Sequence, residues 1–335
     1  MTPMGETRNT EIAVARFAVR TPAVGFGCGS LTGTGLSNAN QVLEAAFDAG
    51  VRHFDTARYY GYGEGEGILG RFLRGRRSAV TITTKFGIEP PLRTTALNFG
   101  LYFGRRVVRF LPAVRRFLQL RTQSLVKSGV FSVQQAQQSL ETSLRELGTD
   151  HIDFYLLHDY IVGEHHPDEL LTFLEGCVKA GKIHSFGIGT GFEHVMQALE
   201  RQPRLCSILQ FQNSVLTRNC DRLPQHNPDR LVITHGALGG SYRSILTFLE
   251  ARKNLAKDWA AKLGCHRLDE DTLSALMLNY AAEANPRGLV LFSSRDPARV
   301  RRNVKAVLEP DFSPAQIATF EGLVSQESPR IVPSR

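Results

Sequence analysis

Strand-like and helix-like segments alternate along most of this chain, and this alternation constrains its fold more than any other feature. Eight short apolar segments have the composition of buried strands, and most are followed by a segment of helical period. They are centred near Val24, Phe54, Ile82, Phe154, Phe186, Leu209, Val232 and Leu291. Because alternating strands and helices produce a parallel sheet, and eight strands close it, the pattern predicts a (β/α)8 TIM barrel.

Local patterns predict individual elements of that barrel. The clearest helix runs from Ser132 to Leu147, with a capping-box pattern at its start, apolar residues at helical spacing and Gly148 at its end. Residues 213–230 contain two prolines and little apolar periodicity, so we expect a loop or one short turn there. A short hairpin is expected at residues 15–19, before the first barrel strand.

Length and composition suit a single barrel domain, which we assign to residues 12–335. The chain has 335 residues, of which 42% are hydrophobic. No apolar stretch is long enough to span a bilayer, and the first residues lack the pattern of a secretory signal, so we expect a cytoplasmic protein. The oligomeric state is not predicted from these features.

Cysteine and histidine usage gives no reason to expect a metal site. The five cysteines are an odd number without close pairing or metal-type spacing, so reduced thiols are expected. One histidine cluster, formed by His158, His165 and His166 near Asp159, lacks a paired-histidine strand motif. We therefore predict that the chain holds no metal.

Four residues at or just beyond the ends of strand-like segments predict proton-transfer chemistry: Asp55, Tyr60, Lys85 and His158. The ends of parallel strands lie side by side, so the fold would bring these side chains together. A phenol has a pKa of about 10, and a neighbouring ammonium lowers that pKa. We therefore expect Tyr60 to be a general acid tuned by Lys85, with Asp55 as the counter-charge of Lys85. His158 would hydrogen-bond a substrate oxygen.

Three local sequences resemble those of the aldo-keto reductases: FDTARYYGYGEGEGILG at 54–70, TITTKFG at 81–87 and FYLLH at 154–158. The similarity extends from about residue 24 to about residue 309. This resemblance implies a single barrel domain that binds a nicotinamide cofactor, usually NADPH/NADP. It also implies interconversion of a small carbonyl compound, whether aldehyde, ketone or sugar, and its alcohol. The catalytic residues would then be Asp55, Tyr60, Lys85 and His158.

The last predicted barrel strand leads into a helix that suits phosphate binding. Pro297 fits the first helical position and Asp296 or Ser294 the cap, so the positive end of the helix would face the strand ends. The resemblance implies that Arg299 contacts the 2′-phosphate of NADPH and that Asn303 contacts the adenine. In all, the positions that we assign to the cofactor are Gly27, Cys28, Asp55, Gly189, Thr190, Gln210, His235, Ser294, Arg299 and Asn303.

Some of these positions depart from the family pattern. Gly189 and Thr190 stand where many members carry Ser-Asn, and His235 stands where an aromatic ring often stacks under the nicotinamide. A threonine makes fewer hydrogen bonds than an asparagine. A second function therefore stays open, namely a catalytically weak regulatory or structural subunit that binds NADPH and keeps the barrel.

A basic insertion at residues 89–130 follows the third predicted barrel strand and exceeds the length of an ordinary loop. No acidic residue lies between Pro90 and Leu140, whereas eight basic residues do, and apolar residues are interleaved with them. This composition predicts one or two amphipathic helices broken at Pro112.

Three roles for this insertion stay open. The favoured one is a solvated helical flap packed on the barrel. The second is a lid over the active site that attracts anionic substrate or phosphate. The third is contact of residues 94–123 with an anionic membrane surface. Nucleic-acid binding is not expected, because the basic residues are confined to this segment and no groove-reading motif accompanies them.

Overall fold

A computed structural model describes residues 11–14, 19–32, 35–90, 127–129, 131–163, 167–224 and 230–332. Most of the basic insertion, residues 91–126, lies outside this description, as do His165 and His166. The predicted amphipathic helices and the three roles considered for the insertion therefore stay predictions.

Strands and helices alternate over the described residues. The strands are β1 Glu11–Val14, β2 Val19–Pro22, β3 Val24–Gly27, β4 His53–Asp55, β5 Thr81–Phe86, β6 Ile88–Glu89, β7 Lys127–Ser128, β8 Ile152–His158, β9 Ile183–Gly189, β10 Ile208–Gln212, β11 Leu231–His235 and β12 Leu289–Phe292. The α-helices are α1 Leu36–Asp48, α2 Gly65–Phe72, α3 Val133–Leu147, α4 Pro167–Lys179, α5 Phe192–Arg201, α6 Gly239–Glu250, α7 Lys253–Lys262, α8 Glu270–Ala284, α9 Pro297–Leu308 and α10 Pro314–Ile331.

Eight of the strands form a closed parallel barrel, which confirms the predicted fold. Around the barrel the order is β3, β4, β5, β8, β9, β10, β11 and β12, and β12 pairs back onto β3. All eight predicted strand centres lie in these strands. Because the strands are parallel and follow chain order, their carboxyl ends meet at one face of the barrel.

Two apolar layers hold the barrel together. Side chains alternate between the two faces of each strand, so one set fills the barrel and the other meets the helices. The interior cluster contains strand residues alone: Phe154, Leu156, Ile208, Leu231, Ile233, Leu289 and Leu291. Their neighbours along the same strands, among them Tyr155, Leu157 and Val232, belong to a larger cluster shared with the surrounding helices.

Two antiparallel ribbons lie outside the barrel sheet. β1 pairs with β2, so a hairpin precedes the barrel as predicted, although its strands lie at residues 11–14 and 19–22. β6 pairs with β7 in the register Ile88↔Ser128 and Glu89↔Lys127. The second ribbon pairs residues at the start and at the end of the basic insertion, so these two ends of the segment lie next to each other.

Helix boundaries follow the local signals that the sequence carries. Ser132 caps α3 by accepting a hydrogen bond from the backbone N–H of Gln135, and Gly148 ends it in the left-handed conformation, as predicted. In the described part of residues 213–230 the structure has one short 3₁₀ turn, Asn219–Arg222, which also agrees with the prediction. No helix among the described residues is long and apolar enough to cross a membrane.

Candidate active site

A cavity of about 570 Å³ opens at the carboxyl ends of the barrel strands. Its walls come from the residues that end or directly follow the parallel strands, as expected for this fold. Nine of the residues predicted for catalysis or cofactor binding line it: Gly27, Asp55, Tyr60, Lys85, His158, Gly189, Thr190, Gln210 and His235.

A buried ion pair forms the floor of this cavity. The Lys85 ammonium donates to Asp55 Oδ1 at 2.6 Å and to the carbonyl oxygen of Thr56 at 2.9 Å. Gln210 donates its Nε2 to the other oxygen of Asp55 at 2.6 Å. Burial lowers the pKa of Lys85, but Asp55 and Tyr60 outweigh this effect and raise that pKa above its ordinary value. Lys85 is therefore an ammonium at neutral pH.

The structure corrects the expected direction of the Tyr60 pKa. The ammonium nitrogen of Lys85 lies 5.1 Å from the centroid of the Tyr60 ring and lowers the pKa, as expected. Burial of the phenol and the Asp55 carboxylate act in the opposite direction, and the pKa of Tyr60 is raised overall. The expectation of a lowered pKa was wrong because it left out burial, the larger of the two opposing effects, and treated Asp55 only as the partner of Lys85. The same carboxylate also opposes the phenolate.

His158 completes the group at the end of β8. Its ring meets the Tyr60 ring edge to face, with centroids 6.0 Å apart and an interplanar angle of 85°. Burial and the Lys85 charge lower the pKa of His158 to about 3. The imidazole is therefore neutral at physiological pH, and one of its nitrogens carries a proton that can be donated to an oxygen.

A short turn behind the cavity fixes the position of Tyr60. The turn spans Tyr60–Gly63, where Gly61 has a φ of 62° and packs directly against Thr32. The next helix starts beside it, and its buried Glu66 accepts hydrogen bonds from Arg58 at 2.8 Å and from Thr84 at 2.7 Å. These contacts attach the tyrosine loop to β5, the strand that carries Lys85.

The positions predicted to bind the adenine end of the cofactor lie away from the described lining of the cavity. Asp296 caps α9 by accepting hydrogen bonds from the backbone N–H groups of Ala298 and Arg299, so these amides already have an acceptor. The Arg299 side chain is 60% exposed and lies 3.6 Å from Glu270. Asn303 is buried.

Cys28 differs from the other predicted cofactor positions. Its side chain is fully buried, and its Sγ points to the carbonyl oxygen of Phe26 at 3.9 Å. Burial raises the pKa of this thiol strongly. The Cys28 side chain therefore belongs to the core beneath the cavity, and the residues on either side of it, Gly27 and Gly29, line the cavity itself.

Two of the parts of the cavity wall that sequence reasoning missed bring polar groups to it. The first is the segment 236–239, which leads from β11 into α6 and brings the helix start to the cavity. Its signal was present as the glycine-rich stretch GALGG directly after a strand. The second comprises Asp159 and Gln212, which follow or end their strands and carry no recognised motif.

A separate polar cluster lies at the amino-terminal end of the barrel. His151, Asp153 and His184 place their ligand-type atoms within 4.8 Å of one another. Asp153 accepts hydrogen bonds from Arg77 at 2.7 Å and from the backbone N–H of Ile82 at 2.9 Å, and its other oxygen contacts His184 at 3.1 Å. Because a guanidinium already neutralises the shared carboxylate, we interpret this cluster as a hydrogen-bonded network between strands.

Comparisons with known proteins agree with this fold and identify the family. The model of the aldo/keto reductase family matches residues 23–325. This chain therefore belongs to the aldo/keto reductase family. Among solved structures it resembles the glycerol dehydrogenase AKR11B4 from Gluconobacter oxydans, with a TM-score of 0.69 and 18% identity over 98% of both chains. The aldo-keto reductase AKR11C1 from Bacillus halodurans has a TM-score of 0.66 and 21% identity, covering 91% of this chain and 93% of that one.

Curated relatives are similar over part of their length. The NADP(+) aldo-keto reductase yakc of Schizosaccharomyces pombe is 31% identical over 50% of this chain and 42% of its own. The D-threo-aldose 1-dehydrogenase of a Pseudomonas species is 32% identical over 58% of this chain and 57% of its own. The chain thus spans about half the length of these relatives, so its activity and substrate are proposals.

Proposed function

We propose that this protein is an NADP(H)-dependent oxidoreductase that interconverts a small carbonyl compound and its alcohol, with Tyr60 as the general acid and base. The observation that carries the proposal is the convergence of Tyr60, His158 and the buried Lys85–Asp55 pair on one cavity at the strand ends. Family membership supports the same reaction, and the yakc relative is named for NADP(+).

The cavity fits a nicotinamide cofactor in three respects. Gly27 and Gly189 carry no side chain, which leaves room for a ring near the strand ends. A side chain at Gly189 would crowd this space, because its Cβ would lie 3.0 Å from Gln210 Oε1. While Nε2 of Gln210 donates to Asp55, its Oε1 can accept from a carboxamide N–H. The start of α6 at Gly239 presents backbone N–H groups suited to phosphate.

Each of the four side chains then has a defined task. The cofactor, when bound in its reduced form, supplies the hydride. Tyr60 delivers a proton to the carbonyl oxygen, and its raised pKa keeps it protonated beforehand. Lys85 stabilises the phenolate that remains, while Asp55 holds Lys85 in place. Neutral His158 donates a hydrogen bond to the same oxygen and orients the carbonyl.

Replacing the proton donor tests this mechanism. Tyr60→Phe removes only the hydroxyl, so we expect kcat for aldehyde reduction to fall at least about 100-fold, the low end of general acid catalysis. Affinity for NADPH, measured by fluorescence titration, should change little. Tyr59→Phe is the matched control, because Tyr59 is the adjacent tyrosine and does not line the described cavity. Full activity of Tyr60→Phe would remove Tyr60 from its assigned role.

The alternative function, a regulatory or structural subunit with weak catalysis, gives a different result in the same assays. Family membership does not favour this alternative, but the departures from the family pattern at Thr190 and His235 keep it open, since both residues line the cavity. Wild-type protein that binds NADPH but oxidises none of it with a panel of aldehydes would support the subunit. Turnover of any aldehyde would support the reductase.

A further inference from the structure

The cavity contains one carboxylate that the proposed reaction does not use. Asp159 directly follows His158 and lines the same cavity. Among the described lining residues, the charges of Asp55 and Lys85 balance each other, and burial lowers the pKa of both His158 and His235. Asp159 therefore leaves this part of the cavity with an unbalanced negative charge.

The backbone holds Asp159 in an unusual conformation. Its φ is 54°, in the left-handed region that few residues other than Gly, Asn and Asp adopt readily. Its N–H donates to the carbonyl oxygen of Gly189 at 2.8 Å, which ties the end of β8 to the end of β9. Within the described ranges no group donates a hydrogen bond to the Asp159 carboxylate. The carboxylate of Asp159 is thus available as an acceptor in the cavity that His158 also lines.

A second polar side chain lines the cavity at the end of β10. Gln212 is exposed there, and its side-chain amide has no hydrogen-bond partner in the described part of the chain. A carboxylate accepts hydrogen bonds only, whereas an amide both donates and accepts. Together Asp159 and Gln212 match the hydroxyl groups of a substrate better than they match a carboxylate or a hydrocarbon chain.

We propose that Asp159 selects the substrate by accepting a hydrogen bond from a hydroxyl next to the reacting carbonyl, so that neutral hydroxylated carbonyl compounds are preferred and anionic ones are disfavoured. This inference rests on the proposed reductase function. A hydroxyl donor gains a charge-assisted bond to the carboxylate. An anionic substrate meets the like charge of Asp159 at the cavity wall, and this repulsion disfavours it.

Paired aldehydes and two conservative variants test the selection. Glyceraldehyde and propanal differ in hydroxyl groups, and succinic semialdehyde and butanal differ in a carboxylate. Asp159→Gly and Asp159→Asn both tolerate the left-handed backbone. In Asp159→Gly, the kcat/KM ratio of glyceraldehyde to propanal should fall about 10-fold or more, as for loss of a bond to a charged group. In Asp159→Asn, the ratio of succinic semialdehyde to butanal should rise several-fold.

Controls separate this inference from the proposed function. Asp311→Asn removes a carboxylate that does not line the described cavity, and it should leave both ratios unchanged. Ratios that stay within twofold of wild type in both Asp159 variants would overturn the inference while leaving the reductase intact. Wild-type protein that reduces none of the four aldehydes would instead contradict the proposed function.

Protonation of Asp159 provides a second test of its role in substrate selection. Burial raises the pKa of Asp159, whereas the neighbouring Lys85 and His194 lower it, and the net direction is upward. As the pH falls through this pKa the carboxylate loses its charge. The wild-type kcat/KM ratio of succinic semialdehyde to butanal should then rise toward the ratio of Asp159→Asn. The ratio of Asp159→Asn should itself vary little with pH. Discrimination that is independent of pH in both proteins would contradict a role for the charge.

Discussion

At the residue scale, the Lys85–Asp55 pair links the stability of the protein to the proposed catalysis. Both side chains are buried and lie 2.6 Å apart, so each charge depends on the other for compensation. Breaking a buried ion pair from one side leaves an uncompensated charge, which costs about 3–5 kcal/mol. The same ammonium is the group that would stabilise a Tyr60 phenolate. Conservative changes at this pair should therefore affect folding and turnover together.

Asp55→Asn provides the direct test of this coupling. We expect the free energy of unfolding, measured in urea, to fall by about 3–5 kcal/mol because Lys85 loses its counter-charge. The double variant Asp55→Asn/Lys85→Met should recover much of this loss, since it removes both charges. Turnover should be absent in both proteins. Equal stabilities of wild type and Asp55→Asn would show that the pair is not a structural requirement.

The pKa directions at Tyr60 and His158 predict the pH dependence of reduction. A general acid must be protonated, so the rate should fall only as the pH rises through the raised pKa of Tyr60, above its ordinary value of 10.0. His158 titrates at about 3, so it should add no limb between pH 5 and pH 8. We expect the single-turnover rate constant, measured by stopped flow, to be independent of pH across that range. A limb near pH 7 would indicate a lowered tyrosine pKa in the complex.

At the scale of elements, close contacts between helices depend on single glycines. Gly70 in α2 packs against the backbone of Glu146 and Leu147 at the end of α3, where a Cβ would overlap the carbonyl oxygen of Glu146. Backbone atoms cannot rotate away as a side chain can. The glycine therefore sets how closely the helix beside Tyr60 approaches its neighbour.

Gly70→Ala should separate these two helices. Overpacking typically costs about 1–3 kcal/mol, and we expect a loss of that size in urea unfolding. Gly176→Ala is the control, because Gly176 lies within α4 and a Cβ there would contact nothing within 4 Å. It should stabilise the protein by up to about 1 kcal/mol through helix propensity. Equal effects of both substitutions would exclude a packing role for Gly70.

At the scale of the whole molecule, buried histidines make the barrel sensitive to acid. His53 lies in β4 and shares hydrogen bonds with Thr81 and Thr83 of the adjacent strand. Burial lowers its pKa from 6.5 to about 4. A histidine whose folded pKa is depressed contributes its full stability above the unfolded pKa. That stability is lost as the pH falls from about 6.5 to the folded pKa.

Stability should therefore decline below pH 6.5, by up to about 1.4 kcal/mol per pH unit for each such histidine. Urea unfolding at pH 7, 6 and 5 measures the slope. His53→Gln should reduce the slope, because glutamine keeps hydrogen-bonding capacity without the titration. His266→Gln changes an exposed histidine and should leave the slope as in wild type. An unchanged slope in His53→Gln would assign the acid sensitivity to other groups.

Local sequence was sufficient for the barrel strands and for several helix ends. The eight apolar segments and the signals at Ser132, Gly148 and Pro297 depend on backbone and side-chain preferences that act over a few residues. The motifs around Tyr60, Lys85 and His158 also identified the family that the comparisons show. These features could be read without knowing which residues meet in space.

Other properties depend on residues far apart in the chain. The pKa of Tyr60 reflects the combined effects of Lys85, burial and Asp55. The direction of its shift depends on how close these groups lie, which the sequence does not show. Asp159 and Gln212 join the cavity only because barrel closure brings the ends of β8 and β10 to one face. The sequence by itself thus determined the fold and predicted the candidate site residues, since both follow from local patterns. Tertiary structure alone decided their protonation and the shape of the cavity, because electrostatic and packing effects depend on distances across the closed barrel.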